Sequence, residues 1–209
     1  MKYKIERLFI VLISITLIVF ILKLYSEEDY MLKSSYRDIY NINLSNEEMD
    51  ALENELNIIN VPYDWSEELN YVNDPYLLIY HHAAINDITV EGIDELHKKR
   101  GFAGIGYNYY IDKTGVIYKG RPDDAEGAHA LNNNKISLGI CLEGNLEEEY
   151  ATNEQLKSLE KLSVYLCIKY DIKAFIGHKD VRETLCPGKN FPLDEIRERV
   201  IKELKNKSC

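Results

Sequence analysis

Cysteine is scarce in this chain. There are four in 209 residues, Cys141, Cys167, Cys186 and Cys209, spaced too widely to frame a small disulfide-stapled scaffold. Eleven glycines, five prolines and the lack of any internal repeat exclude collagen-like repetition and solenoid arrays. Basic residues fall short of acidic ones, 25 Lys and Arg against 35 Asp and Glu, for a formal net charge of -10. Phosphate backbones are held by clustered Lys and Arg, so a nucleic-acid partner is not expected. A single tryptophan stands beside sixteen tyrosines, a bias that decides nothing by itself. What is present suits a folded domain, because 45% hydrophobic and 29% charged residues allow a packed core and exclude wholesale disorder.

The N-terminus is the exception to this soluble composition. Lys2, Lys4 and Arg7 precede an uncharged run from Leu8 to Leu22, after which Lys23, Glu27, Glu28 and Asp29 resume the polar chain. A run of that length matches a signal-peptide core and is short of the ~20 residues of a straight membrane span. Snorkelling of Lys23, with Leu24 and Tyr25 at the interface, lengthens it, and no small-x-small cleavage site follows. That favours an uncleaved signal anchor over residues 8–25, with a secreted chain as the outcome if the segment is cut. The excess of Lys and Arg before the run keeps residues 1–7 cytoplasmic and turns the rest outward. Residues 26–60 then read as a polar stalk carrying one short helix, which starts near Ser45 before Met49, Leu52 and Leu56.

Residues 61–209 alternate between β-rich runs and amphipathic ones. Strands are expected at Tyr76 to His82, Tyr107 to Ile111, Val116 to Lys119, Leu138 to Glu143 and Ala174 to His178, with a hairpin turn at Asp112 to Gly115. Helices are expected at Val90 to Lys99, at Asn153 to Tyr170 behind the capping box of Thr152 and Gln155, and at Leu193 to Lys205. Mixed order with a hairpin implies an α/β domain, a mixed central β-sheet flanked by helices.

Three of the five histidines sit where expected strands end: His81 and His82, and His178. Cys186 follows His178 by eight positions, with Pro187 and Gly188 fixing the turn after it. Imidazole and thiolate are borderline-soft ligands that suit zinc, and a third ligand from His81 or His82 completes three protein donors with an open fourth position. Spacing alone leaves the bland alternative of a satisfied histidine and a small buried cysteine.

Five motifs in order carry a resemblance. They are His81-His82; His97 with Arg100 through Tyr109; Gly127-Ala128-His129; Ser137 through Asn145; and His178 with Cys186-Pro187-Gly188. Together, over residues 60–200, they resemble the type 2 N-acetylmuramoyl-L-alanine amidases, whose fold is shared with peptidoglycan recognition proteins and phage endolysins. The resemblance implies a zinc enzyme that cuts the amide between N-acetylmuramic acid and L-alanine of peptidoglycan; the N-terminal run, outside the resemblance, adds that this enzyme, expected as a monomer, is held at the cell membrane by a single-pass anchor. It implies His81, His178 and Cys186 as the Zn2+ ligands and Tyr107 and Thr184 as catalytic hydrogen-bond donors. His97 and His129 become contacts to the stem peptide at the rim of its groove, while His82 points away. The general base stays open between Glu143 and none. A non-catalytic, membrane-anchored peptidoglycan-binding module is the alternative, against which Cys186 speaks.

Overall fold

The computed structural model describes residues 34–208. The expected anchor over residues 8–25 lies outside the described residues. Among the described residues no helix is long and apolar enough to cross a membrane.

Helix α1 (Tyr36–Ile39) and helix α2 (Asn46–Glu55) come first, followed by the two-residue strand β1 (Ile59–Asn60). Strand β2 (Leu77–His82), helix α3 (Val90–Lys99), β3 (Tyr109–Ile111), β4 (Ile117–Lys119) and β5 (Ser137–Leu142) follow. Helix α4 (Asn153–Lys169), β6 (Ala174–Gly177), a single 3-10 turn at His178–Asp180 and helix α5 (Leu193–Asn206) complete the chain. One sheet holds all six strands in the order β1-β4-β3-β5-β2-β6. Only the β3–β4 hairpin is antiparallel, and it closes through the Asp112 to Gly115 turn, where Asp112 Oδ1 accepts from the backbone N–H groups of Thr114 and Val116. The sheet is therefore mixed, as the hairpin within an otherwise alternating order implied.

Both long strands are buried on each face, as befits strands enclosed between layers. Side chains alternate along them. Leu78, Tyr80, Leu138, Ile140, Tyr109 and Phe175 face α4 and α5 in one large core. Helix α5 meets that core with Ile196, Val200 and Leu204, an i, i+4 stripe worth about 1.5–3 kcal/mol per fully buried side chain. Tyr110 and Cys141 point to the opposite face, where Val90 and Ile93 of α3 and Ile105 cover them. The second face carries the chemistry described below.

The described part of the expected stalk is packed onto the domain. Ile42 and Leu56 are buried in the large core, with Tyr36, Tyr40, Leu44, Met49, Leu52 and Ile58 against it. Tyr36 stacks on Phe175 at 4.4 Å between ring centroids and donates its N–H to Ile172 O. The short helix at Ser45 is present, with its capping box completed by Glu48. Apolar residues in this stretch are interspersed with charge, so composition alone reads polar, while Met49, Leu52 and Leu56 recur at helical spacing and turn one face to the core.

Candidate functional site

Strand β2 delivers His81 to the second face at its C-terminal end, and β6 ends one residue before His178. The turn that follows is held by two backbone N–H groups: Lys179 N–H donates to Cys186 O at 2.8 Å, and Gly177 N–H donates to the side-chain Oδ2 of Asp180 at 2.8 Å. Arg197 of α5 braces it from below, donating to Phe175 O at 2.8 Å and standing 3.8 Å from Asp180. This returns Cys186 to the ends of β2 and β6. One donor atom from each of His81, His178 and Cys186 then lies within 4.8 Å of the others.

The donor set fits a zinc ion. His81 Nδ1 and Cys186 Sγ are 3.5 Å apart, close to the ~3.6 Å that tetrahedral bonds of about 2.1 and 2.3 Å require. His178 Nε2 is buried without a hydrogen-bond partner among the described residues, which a cation would relieve. Burial, with His129 and His178 nearby, holds His81 well below the usual histidine range, and burial with Arg182 lowers His178. Both imidazoles are therefore neutral near pH 7, the form that offers a lone pair. Burial pushes the Cys186 thiol up to about 12, and the His82 N–H opposes that shift. A divalent charge beside the sulfur would reverse the balance.

His82 turns to the other face, as alternation requires, and its Nδ1 accepts from Leu146 N–H at 3.0 Å. Tyr107 lies just outside β3, which begins at Tyr109 instead of Tyr107. Ahead of the strand, the Asn108 side chain accepts from Gly139 N–H and donates to Pro122 O, adding side-chain bonds to those of its backbone. Tyr107 is presented beside the donor cluster, with its ring 5.0 Å from that of His81. Burial, reinforced by the Cys141 and Cys186 thiols, pushes its hydroxyl well above the usual tyrosine range. Thr184 Oγ1 accepts from Cys186 N–H at 3.3 Å, which leaves its own proton to donate.

Neither expected rim histidine is an exposed rim group. His97 is only 4% exposed, and its Nδ1 accepts from Gly106 N–H at 2.9 Å. One turn earlier on α3, Asp94 Oδ1 accepts from Ile105 N–H at 2.7 Å, so two side chains of one helix hold consecutive backbone groups ahead of Tyr107. His129 is buried behind His81, with its Nδ1 3.0 Å from His81 Nε2. Burial and the nearby His178 and Arg121 hold His129 down at about 3. Gly127 and Gly139 both lie against the His129 ring, and nothing local in the sequence says that they meet there. Glu143, the open candidate for a base, instead accepts from Lys113 N–H at 2.8 Å in the hairpin turn.

A separate cleft of about 740 Å³ involves Tyr109, Lys119, Asp123 and Tyr170. Its polar groups satisfy one another, since both tyrosine hydroxyls donate to Asp123 and Lys119 pairs with the same carboxylate.

Comparison with known proteins agrees with this geometry. A family model described as N-acetylmuramoyl-L-alanine amidase matches residues 71–189. The endolysin of Klebsiella phage KP32 is 33% identical over 110 residues, which is 50% of this chain and 73% of the endolysin. Peptidoglycan-recognition protein LB of Drosophila melanogaster is 32% identical over 127 residues, 54% of each chain. Among solved structures, the endolysin N-acetylmuramoyl-L-alanine amidase LysCS from Clostridium intestinale superposes with a TM-score of 0.68 and 49% identity, covering 68% of this chain and 94% of that one.

Proposed function

Because the chain belongs to the N-acetylmuramoyl-L-alanine amidase family, we propose that it hydrolyses the amide between N-acetylmuramic acid and L-alanine in peptidoglycan with Zn2+ as cofactor. The observation that carries this reading is the convergence of His81, His178 and Cys186 beside Tyr107. A bound Zn2+ would polarise the scissile carbonyl and acidify the attacking water.

The protein's own groups supply the rest. Tyr107 keeps its proton at neutral pH, because its hydroxyl titrates far above that range, so it serves as a hydrogen-bond donor to the developing oxyanion and not as a base. Thr184 adds a second donor, its oxygen already oriented by the Cys186 N–H. Asp94 and His97 hold the backbone ahead of Tyr107, fixing where that hydroxyl stands. Glu143 is engaged at the hairpin turn, where its carboxylate accepts the Lys113 N–H.

Retention of Cys186 as a third donor favours catalysis over the alternative of a binding module that does not cut. The test uses the full chain, assaying zinc content together with new L-alanine amino termini from purified peptidoglycan. One zinc per chain, with release abolished by chelation and by Cys186→Ser, supports the amidase. Zinc without release from any muropeptide would leave the binding module. On the reading of residues 8–25 as an anchor, the domain faces the wall from the outer side of the cell membrane. Cell fractionation and protease accessibility test that placement, and a domain protected inside intact cells would overturn it.

A further inference from the structure

Resting on the zinc reading above, we infer that His129 is the positioning residue of the metal centre, an imidazole that fixes the tautomer and ring orientation of His81. Metal-binding histidines generally donate their second ring N–H to a carboxylate, a carbonyl or water. Here the acceptor is a second histidine.

The ring protons of the two histidines have one consistent placement. His81 presents Nδ1 toward Cys186 Sγ at 3.5 Å, so a metal there takes the Nδ1 lone pair. The ring proton of neutral His81 then sits on Nε2, 3.0 Å from His129 Nδ1. His129 accepts through Nδ1 and carries its own proton on Nε2, which is buried without a partner among the described residues. With the opposite tautomer at His129, two N–H groups would collide. A bond made in a dry interior holds the His81 ring more firmly than one made to water.

The slot for His129 is built. A Cβ on Gly139 would come within 2.6 Å of His129 Cγ and 2.7 Å of its Nδ1. A Cβ on Gly127 would come within 2.6 Å of Cδ2 and 2.8 Å of Nε2. Only hydrogen at both positions lets the two backbones approach the ring this closely. Asn134 Oδ1 accepts from the N–H groups of both His129 and Ala130, at 3.0 and 2.8 Å, locking the backbone from which the ring projects. The two rings meet edge to face, 86° apart, which aims one nitrogen at the other.

The experiment measures metal affinity by chelator competition, and the absorption spectrum of the Co2+-substituted protein, for wild type, His129→Ala and His129→Asn. The Oδ1 of an asparagine side chain stands near the place of a histidine Nδ1, so His129→Asn keeps an acceptor there without the imidazole. Loss of an outer hydrogen-bond partner typically weakens metal binding about 10- to 100-fold. The Ala variant is expected to bind zinc that much more weakly with an altered Co2+ spectrum, and the Asn variant to recover most of both. Equal affinity and an unchanged spectrum in His129→Ala would overturn the inference, as would an Asn variant no better than Ala. Both variants are checked for wild-type thermal unfolding in the metal-free state, and the Asn variant decides if Ala does not fold. Metal affinity is the readout, so a protein that binds zinc and cuts nothing would sink the amidase reading and leave this one standing.

Discussion

The His97 ring stands 5.2 Å from the ring of Tyr107 and accepts the Gly106 N–H immediately before it. Burial, helped by Arg100 and Arg121, lowers the His97 pKa from 6.5 to about 4. The folded state therefore prefers neutral His97. Its contribution is fully present above the unfolded pKa near 6.5 and is lost as pH falls toward 4. At pH 5 the loss is about 2 kcal/mol, at 1.36 kcal/mol per unit. Asn can supply the same acceptor without titrating in this range. Urea unfolding at pH 7 and pH 5 is expected to show a smaller drop for His97→Asn than for wild type, and equal drops would remove His97 from the acid sensitivity.

Tyr107→Phe removes one oxyanion donor and leaves the ring packing. Turnover on peptidoglycan is expected to fall about 100- to 1,000-fold, while zinc content and thermal unfolding stay at wild-type values. Unchanged turnover would take the hydroxyl out of the mechanism.

Glu143 holds the hairpin through Lys113 N–H, and an amide oxygen can accept the same bond. Activity of Glu143→Gln is expected within about twofold of wild type, since removing an engaged general base usually costs at least ~100-fold. A loss of that larger size in steady-state assays would return Glu143 to the reaction.

Gly139→Ala touches no ligand, yet its methyl would drive into the His129 ring. Zinc should bind more weakly than in wild type, and stability should drop by about 1–3 kcal/mol from overpacking. Chelator competition and unfolding curves read the two effects separately, and a variant with wild-type affinity would show that the slot tolerates a Cβ.

Residues 34–60 contribute Ile42 and Leu56 to the large core and β1 to the sheet edge. A chain beginning at residue 61 is expected to unfold at lower denaturant than one beginning at residue 34, by more than ~3 kcal/mol, given about 1.5–3 kcal/mol for each buried aliphatic side chain. Coincident unfolding curves would mean that this segment only rests on the domain.

Much of the architecture was legible locally. Helix α3 spans Val90–Lys99 as its periodicity predicts, and β2 ends at His82, where the strand was expected to end. Element type follows from a period of 3.6 or 2 within a few residues, which neighbours alone determine. The strand-end position of His81 and the short loop from His178 to Cys186 marked the donor residues for the same reason, and the ordered motifs separated them from ordinary core histidines. The partnership of His81 with His129 was not legible, because the two are 48 positions apart in the chain and only the β2–β5 register brings Gly139 beneath that ring. Nor was the direction of Glu143, which depends on where the neighbouring hairpin ends. The sequence by itself determined most of the long elements, the donor residue types and the family. The tertiary structure alone decided which buried groups face one another, because strand order and register are set by the packing of the whole core and not by any local run of residues.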